Sequence, residues 1–497
     1  MYMGLGLLLL VSVGKENLYL SAQPEITFFK IAYKRHTNYS IEPTPQYFKT
    51  TPDFGRRCTI NIGKNADLLG KSYLYVELPN IQMETFQSSA STIKKFAWVK
   101  KIGCALINFV EVEIGGSIVD RHYGDWINIW NEMTISLGHK KSYNKMIGNI
   151  QELIEYSETK KSTVLYIPFS FWFCEDTGLG IPLIALANTD IKIHVEFNDI
   201  DLCYKISPSY FINVTNNYCI YKPREKFYQN NQNNKIIGEF IYFDPIEQKL
   251  YYNPIKGKFN IPTILNDPKY KLIGTQSNFI VNIKSESVVV KDEDYFKFNK
   301  PSLISAYLLV NYIYLDNFER YNFINNSHEY LIPLVQTISE QLVYSTNSNY
   351  KLPLINPVKL LVWRAILLSN ISNNNQFDYT TIPFTETPEF IINKNLLVIN
   401  SINRMELDSY IYYTILQKYQ SNFYNNQEGI YMYSFSLNPK ELQPSGSINF
   451  SKIDDAYIQL TMNNIINYQN PASIRGYAIE YNLLRVSNGI GGLGFNN

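Results

Sequence analysis

The sequence predicts an all-β protein built from two large sandwiches in tandem, and three observations predict it. Aromatic residues make up 15% of the chain, with 40 Tyr and 28 Phe, and such side chains, with Ile, Val and Thr, pack well on a pleated sheet. Period-two alternation of apolar and polar residues recurs along the chain, whereas long amphipathic helical patterns are scarce. At 497 residues the chain exceeds one ordinary core, and two β domains of roughly 200 and 260 residues account for it.

The opening GLGLLLLVSVG, residues 4–14, is apolar but shorter than the roughly 20 residues that cross a bilayer. It lacks the basic leader of a signal peptide and reads as a strand, a packed arm or a weak contact with a membrane or partner, within an N-terminal arm over residues 1–24. A first domain follows over 25–227. Within it SYLYVELP, residues 72–79, turns Leu74, Val76 and Leu78 inward and stops at Pro79. EVEIGGSIVDRH, residues 111–122, reads as a hairpin, because Gly115 and Gly116 suit the positive φ of a tight turn. Residues 123–156, beginning YGDWINIWNEMT, carry helix-like spacing instead. IKIHVEF, residues 191–197, sets Ile191, Ile193, Val195 and Phe197 on one face and Lys192, His194 and Glu196 on the other.

YQNNQNNKI, residues 228–236, is polar and of low complexity, and it reads as a linker that contributes no core. The second domain is expected over 237–497. Residues 315–344 show helix-like spacing again, so each half is expected to carry short helices between strands. SNISNNNQFDYTT, residues 369–381, reads as a surface loop. The runs at 429–437 and 447–462 then read as neighbouring strands, with Pro444, Ser445 and Gly446 turning the chain between them.

Chemistry-bearing motifs are sparse. Net charge is +1 from 45 basic and 44 acidic residues, so no nucleic-acid footprint is visible. The pairs Lys94 and Lys95, Lys100 and Lys101, Lys140 and Lys141, and Lys160 and Lys161 read as solvated faces. Cys58, Cys104, Cys174, Cys203 and Cys219 are odd in number and widely spaced, which suits reduced, buried thiols and neither a disulfide framework nor a zinc site. His36, His122, His139, His194 and His328 stand in no metal-ligand spacing. HYGDW, residues 122–126, could suggest acid-base chemistry through His122 and Asp125. Asp454 and Asp455 read as polar residues at a strand start or subunit contact. GGLG, residues 491–494, lacks the following helix of a phosphate loop. These residues alone leave lectin, hydrolase and shell protein open.

Longer motifs carry a resemblance. PEITFFKIAYKRHTNYSIEP at 24–43, NADLLGKSYLYVELP at 65–79, EIGGSIVDRHYGDWINIWNEMT at 113–134 and LYIPFSFWFCEDTGLGIPLIALANTDIKIHVEF at 165–197 resemble the major capsid proteins of nucleocytoplasmic large DNA viruses. LLVNYIYLDNFERYNFINNSHEYLI at 308–332, NPVKLLVW at 356–363, GIYMYSFSLNPKELQPSGSINFSKIDDA at 429–456 and YAIEYNLLRVSNGIGGLGF at 477–495 continue the match in order. The resemblance implies a double jelly roll, two eight-stranded sandwiches side by side, and, from the place of HYGDW in the matching stretch, a packing or helix-capping role for Asp125 in preference to acid-base chemistry. It also implies a homotrimer with a pseudo-sixfold outline, tiling an icosahedral shell in a virion assembled in the host cytoplasm.

The partners it implies are neighbouring capsomers, minor capsid proteins and an internal membrane reached through the N-terminal arm, without direct nucleic-acid contact. Neither enzymatic activity nor a cofactor or metal is expected. Glycosylation sequons stand at Asn38, Asn213, Asn325, Asn370 and Asn449. The alternatives are a low-copy capsid paralogue or scaffold of the same fold, and a carbohydrate-binding β-sandwich protein.

Overall fold

The computed structural model describes residues 14–82, 95–222, 224–231, 234–257, 259–261, 270–284, 290–291, 301–381, 389–403, 409–468 and 470–495. The apolar opening at 4–14 lies, apart from Gly14, outside the described residues. From Gly14 to Asn38 the chain is an exposed arm with one short helical turn.

The first sandwich is built from β1 (Tyr39–Gln46), β2 (Arg57–Asn61), β3 (Leu68–Leu78), β4 (Ile107–Ile114), β5 (Ser117–Tyr123), β6 (Thr163–Pro168), β7 (Ile181–Pro182), β8 (Ile191–Phe197) and β9 (Ser305–Leu315). One sheet runs β1-β9-β3-β7, with β6 also paired to β3, and the other runs β2-β8-β4-β5. Because β6 and β7 both lie against β3, they share the sixth position of an eight-strand order. The two sheets then read 1-8-3-6 and 2-7-4-5, which is a jelly roll. Leu74, Val76, Leu78, Ile193 and Val195 face inward as their alternation requires. Gly115 and Gly116 take φ of 62° and 86° and close the β4–β5 hairpin.

The second sandwich repeats the order. Its strands are β10 (His328–Val343), β11 (Asn347–Lys351), β12 (Pro357–Leu367), β13 (Ile392–Ile399), β14 (Ile402–Asn403), β15 (Ile430–Ser434), β16 (Ala456–Met462) and β17 (Ala472–Ser487). They form sheets β10-β17-β12-β15 and β11-β16-β13-β14, again 1-8-3-6 and 2-7-4-5. The protein is a double jelly roll. Each jelly roll has its own core, one around Leu74 and Ile193 and one around Trp363, Ile458 and Ala478.

Several expectations are corrected. Residues 228–231 and 234–236 are no linker: they lie in the antiparallel strands Lys226–Asn231 and Asn234–Asp244. These belong to a seven-stranded sheet with its own core of Phe227, Ile236, Phe240, Tyr252 and Leu272. That sheet is inserted between β8 and β9, and β9 pairs with β1 and β3. The chain therefore passes to the second jelly roll at 316–327. The hairpin ladder between these two strands, extended by pairing of Phe227, Tyr228 and Gln229 with residues 272–274, outweighs a polar composition that reads locally as coil. Over 315–344 only Asn317–Asn325 is helical, capped by Asp316, whose side chain accepts from Glu319 N. His328–Val343 is instead a long strand paired to β17. The late runs do not pair with each other, since β15 joins β12 and β16 joins β11 and β13 in the facing sheet. Gly446 does take a positive φ of 134° between them. Asp454 and Asp455 are exposed at the start of β16, and both their amides donate to Asn400 Oδ1.

Candidate assembly site at the seam between the jelly rolls

The helical spacing after β5 forms α1 (Gly124–Thr134), α2 (Leu137–Met146) and α3 (Gln151–Ile154). Gly124 permits the close start of α1, because a Cβ there would lie 2.2 Å from Cys104 O and 2.3 Å from Ile107 O. Ile127 points into the first core. Trp126, Ile129, Trp130 and Met133, at the spacing of one helical stripe, are buried on the other side. They pack in one cluster with Leu360, Val362 and Ile366 of β12, Ile430 and Met432 of β15, and Tyr477 and Ile479 of β17. The helix of the first jelly roll thus covers the outer face of the second jelly roll's 1-8-3-6 sheet. β12 is buried on both faces as a result, as are strands in sheets covered on two sides. Trp126 stacks with Trp130 at 5.5 Å and meets Tyr477 at 5.0 Å, while Trp130 meets Phe423 at 5.8 Å.

A buried ion pair sits at the start of this stripe. Arg364 Nε donates to Asp125 Oδ2 at 2.7 Å, Tyr477 OH donates to the same oxygen at 3.3 Å, and Tyr379 OH donates to Oδ1. Arg364 Nη1 donates to Ser473 O at 3.2 Å. Burial works against the guanidinium charge, but Asp125 and the surrounding groups outweigh it and hold the Arg364 pKa above its ordinary value. Burial, reinforced by Asp125, raises both tyrosines well above theirs. Asp125 is therefore a packing residue, as expected, although Tyr123 and not Asp125 is the N-cap of α1.

A second set of contacts rims the stripe. Lys101, in left-handed backbone at φ 55°, pairs with Glu132 at 2.7 Å and donates to Gln427 Oε1 at 2.6 Å. Lys140 reaches Glu132 and Asn426 O, both at 3.2 Å. Tyr424 N donates to Met133 O at 2.8 Å. Burial lowers the Lys101 pKa against the pull of Glu132, and the two lysines hold Glu132 below the usual carboxylate range despite its burial. The expected surface loop 369–381 is part of this rim. Asn374 Nδ2 donates to Asp201 O and Tyr204 O at 2.7 Å each, Gln376 Nε2 donates to Leu202 O at 2.6 Å, and Tyr379 is buried. Solvated faces do not describe Lys101 or Lys160 either, since Lys160 is buried and donates to Glu152 O at 2.6 Å.

Other singled-out residues stay apart from this seam chemistry. His122 is buried, stacks on Phe171 at 4.3 Å and lies 3.1 Å from Asp120 Oδ2, not beside Asp125. Among the described residues no three His, Cys, Asp or Glu side chains are placed to hold a metal ion. Cys58, Cys104, Cys174 and Cys203 are buried free thiols, and Cys219 is half-buried. Asn38, Asn325 and Asn449 are exposed and Asn213 is half-buried. Asn370 is buried, with Nδ2 donating to Asp378 O at 3.1 Å. Sequence reasoning missed Arg364. Its signal was one of two cations, Lys359 and Arg364, inside the otherwise apolar run PVKLLVWRAIL, beyond the helix that supplies Asp125.

Two jelly rolls of one strand order, joined face to helix, define a double jelly-roll capsid-type protein. The comparisons agree. Residues 27–244 match the family described as major capsid protein N-terminus, and residues 319–492 match large eukaryotic DNA virus major capsid protein. "Probable capsid protein 4" of Acanthamoeba polyphaga mimivirus is 35% identical over 99% of both chains. The major capsid protein of Phaeocystis pouchetii virus is 28% identical over 99% of both. Among solved structures, the Faustovirus major capsid protein superimposes with a TM-score of 0.67 at 12% identity, covering 96% of this chain and 94% of that one. A chain of the PBCV-1 virus capsid gives 0.62 at 21% identity, covering 95% and 100%. The chain belongs to the major capsid protein family of large eukaryotic DNA viruses.

Proposed function

We propose that the protein is a structural subunit, not an enzyme, and that three copies form a pseudo-hexameric capsomer tiling an icosahedral virion shell. The observation that carries this is the seam. Two jelly rolls of identical strand order meet helix-to-sheet, so one chain supplies two like sides of a six-sided unit. Hydrophobic burial at the contacts drives association, and near-zero net charge keeps long-range repulsion small in a flat facet. Neighbouring capsomers, minor capsid proteins and, through the N-terminal arm, an internal membrane are the partners of this reading. Assembly in the host cytoplasm completes it.

Light scattering coupled to gel filtration, followed by negative-stain microscopy, tests the reading. Particles of about three 57.8 kDa chains with a hexagonal outline support it, and a stable monomer at all concentrations overturns it. A second reading is a low-copy paralogue. It is favoured because one virus, Acanthamoeba polyphaga mimivirus, holds two relatives, "Probable capsid protein 4" at 35% identity and "Capsid protein 1" at 26%. Counting this chain against other capsid chains in purified virions separates the two.

A further inference from the structure

The seam inside the chain has a direction. The helix between the fifth and sixth strands of the first jelly roll covers the outer 1-8-3-6 face of the second. Two equivalent surfaces are left over. One is the outer 1-8-3-6 face of the first jelly roll, and the other is the helical run at 410–420, between β14 and β15 of the second.

Both leftover surfaces are apolar. On the first jelly roll, Tyr307 of β9 stands directly opposite Tyr75 of β3, and Tyr75 stands opposite Tyr166 of β6. The Tyr75 and Tyr307 rings stack at 4.2 Å, Tyr166 meets Tyr75 at 5.3 Å, and Tyr47 meets Tyr307 at 5.7 Å. This row of four tyrosines crosses the sheet in the open, with Tyr47 70% and Tyr166 38% exposed. In both jelly rolls the third strand pairs with the eighth, β3 with β9 and β12 with β17, so the tyrosine row lies on the face equivalent to the one α1 covers. The covered face and the open one also differ in burial: β12 is buried from Val358 onward, whereas β3 alternates buried and half-buried residues from Ser72 onward.

The helical run at 410–420 has two faces as well. Tyr413, Thr414, Gln417 and Lys418 are buried, and Gln417 Oε1 accepts from Ser434 N of β15 at 3.0 Å. Ile411 and Ile415, each 49% exposed, Leu416 and Tyr419, 81% exposed, point away. Like α1, this run lies between the fifth and sixth strands of its jelly roll. Unlike Trp126, Ile129, Trp130 and Met133, they are not part of the chain's own seam cluster.

We propose that Ile411, Ile415, Leu416 and Tyr419 of one copy dock on the Tyr47, Tyr75, Tyr166 and Tyr307 row of a second copy. This contact repeats between chains the helix-to-sheet step that α1 makes within one. The inference rests on the capsomer reading and names its seam. The contact is heterologous, with different surfaces on its two sides, and the three-chain ring of the capsomer reading is the closed form that alternating it with the internal seam would build. Aromatic anchors on a flat sheet meeting an aliphatic helical stripe bury apolar area without stranding a charge.

The test uses the full chain and two variants, Tyr307→Arg on the sheet side and Ile415→Asp on the helix side. Each is checked for a cooperative melt and then weighed by sedimentation velocity. Tyr166→Arg replaces Tyr307→Arg should that variant not fold, and Tyr419→Asp replaces Ile415→Asp. The wild type is expected at about three chain masses, and each variant alone at one. An equimolar mixture is expected at two, because the intact helix of the first variant still fits the intact face of the second while the ring cannot close. Variants that stay at the wild-type mass, or a mixture that stays monomeric, place the seam elsewhere and overturn the inference while leaving the capsomer reading intact. A monomeric wild type overturns the capsomer reading itself.

Discussion

Asp125 of the first jelly roll and Arg364 of the second form a 2.7 Å ion pair, although 239 residues separate them in sequence. Both side chains are largely buried, and Tyr379 and Tyr477 fill the remaining bonding sites of the carboxylate. The pair holds two separate cores in one orientation, and removing either member strands a charge out of water.

Arg364→Met or Asp125→Asn alone is expected to cost about 3–5 kcal/mol of stability, measured by chemical denaturation. The double variant Asp125→Leu with Arg364→Met is expected to recover most of that loss, because a buried pair replaced by apolar residues loses its desolvation cost as well. Equal losses in the single and double variants would contradict the role of the pair.

Trp126 fills the centre of the stripe and touches both Trp130 and Tyr477. Trp126→Ala is expected to cost about 3–5 kcal/mol. The denaturation midpoint should shift while the slope stays unchanged.

Gly124→Ala tests the close start of α1. Alanine is the better helix former by about 1 kcal/mol, so propensity alone predicts a gain. The 2.2 Å approach of its Cβ to Cys104 O predicts a net loss, visible as a lowered melting temperature.

Lys418 lies buried beneath the helical run at 410–420, its Nζ donating to Asn425 Oδ1 at 2.7 Å. Burial, partly offset by Glu428 and Glu132, lowers its pKa from 10.5 to about 7. Between those values the unfolded chain binds a proton that the folded chain does not. Stability from this group therefore rises with pH from about 7 to 10.5 and is least below 7. Lys418→Met is expected to add about 2–4 kcal/mol at pH 7, a gain that shrinks towards pH 10. A gain independent of pH would sink the assignment.

Secretory expression tests the sequons. Peptide mass spectrometry is expected to find glycan at exposed Asn38, Asn325 or Asn449, and none at Asn370, whose amide nitrogen is buried against Asp378 O. Modified Asn370 in folded protein would contradict its placement.

Much of the fold was legible locally. IKIHVEF and SYLYVELP alternate as half-buried strands do, and the paired glycines at 115 and 116 mark a turn that only positive φ can close. The helix at 124–134 also announced itself through its spacing. The seam was less legible. Tyr431 and Met432 look like the two sides of a half-buried strand, yet they are buried in two different clusters, because a helix from the other half of the chain covers one side. The polar run at 228–236 misled because it pairs with itself as a hairpin, and Tyr228 and Gln229 pair further with Ile273 and Leu272 of the inserted sheet.

The sequence by itself determined an all-β chain, the inward faces of its strands, its tight turns and its family resemblance. These depend on alternation and backbone preference within a few residues, which are local properties. Tertiary structure alone decided where one jelly roll ends and the next begins, that β9 returns across an inserted sheet to pair with β1 and β3, and that Asp125 meets Arg364. Strand pairing and burial of a second face depend on residues hundreds of positions apart, and no short window of sequence contains both partners.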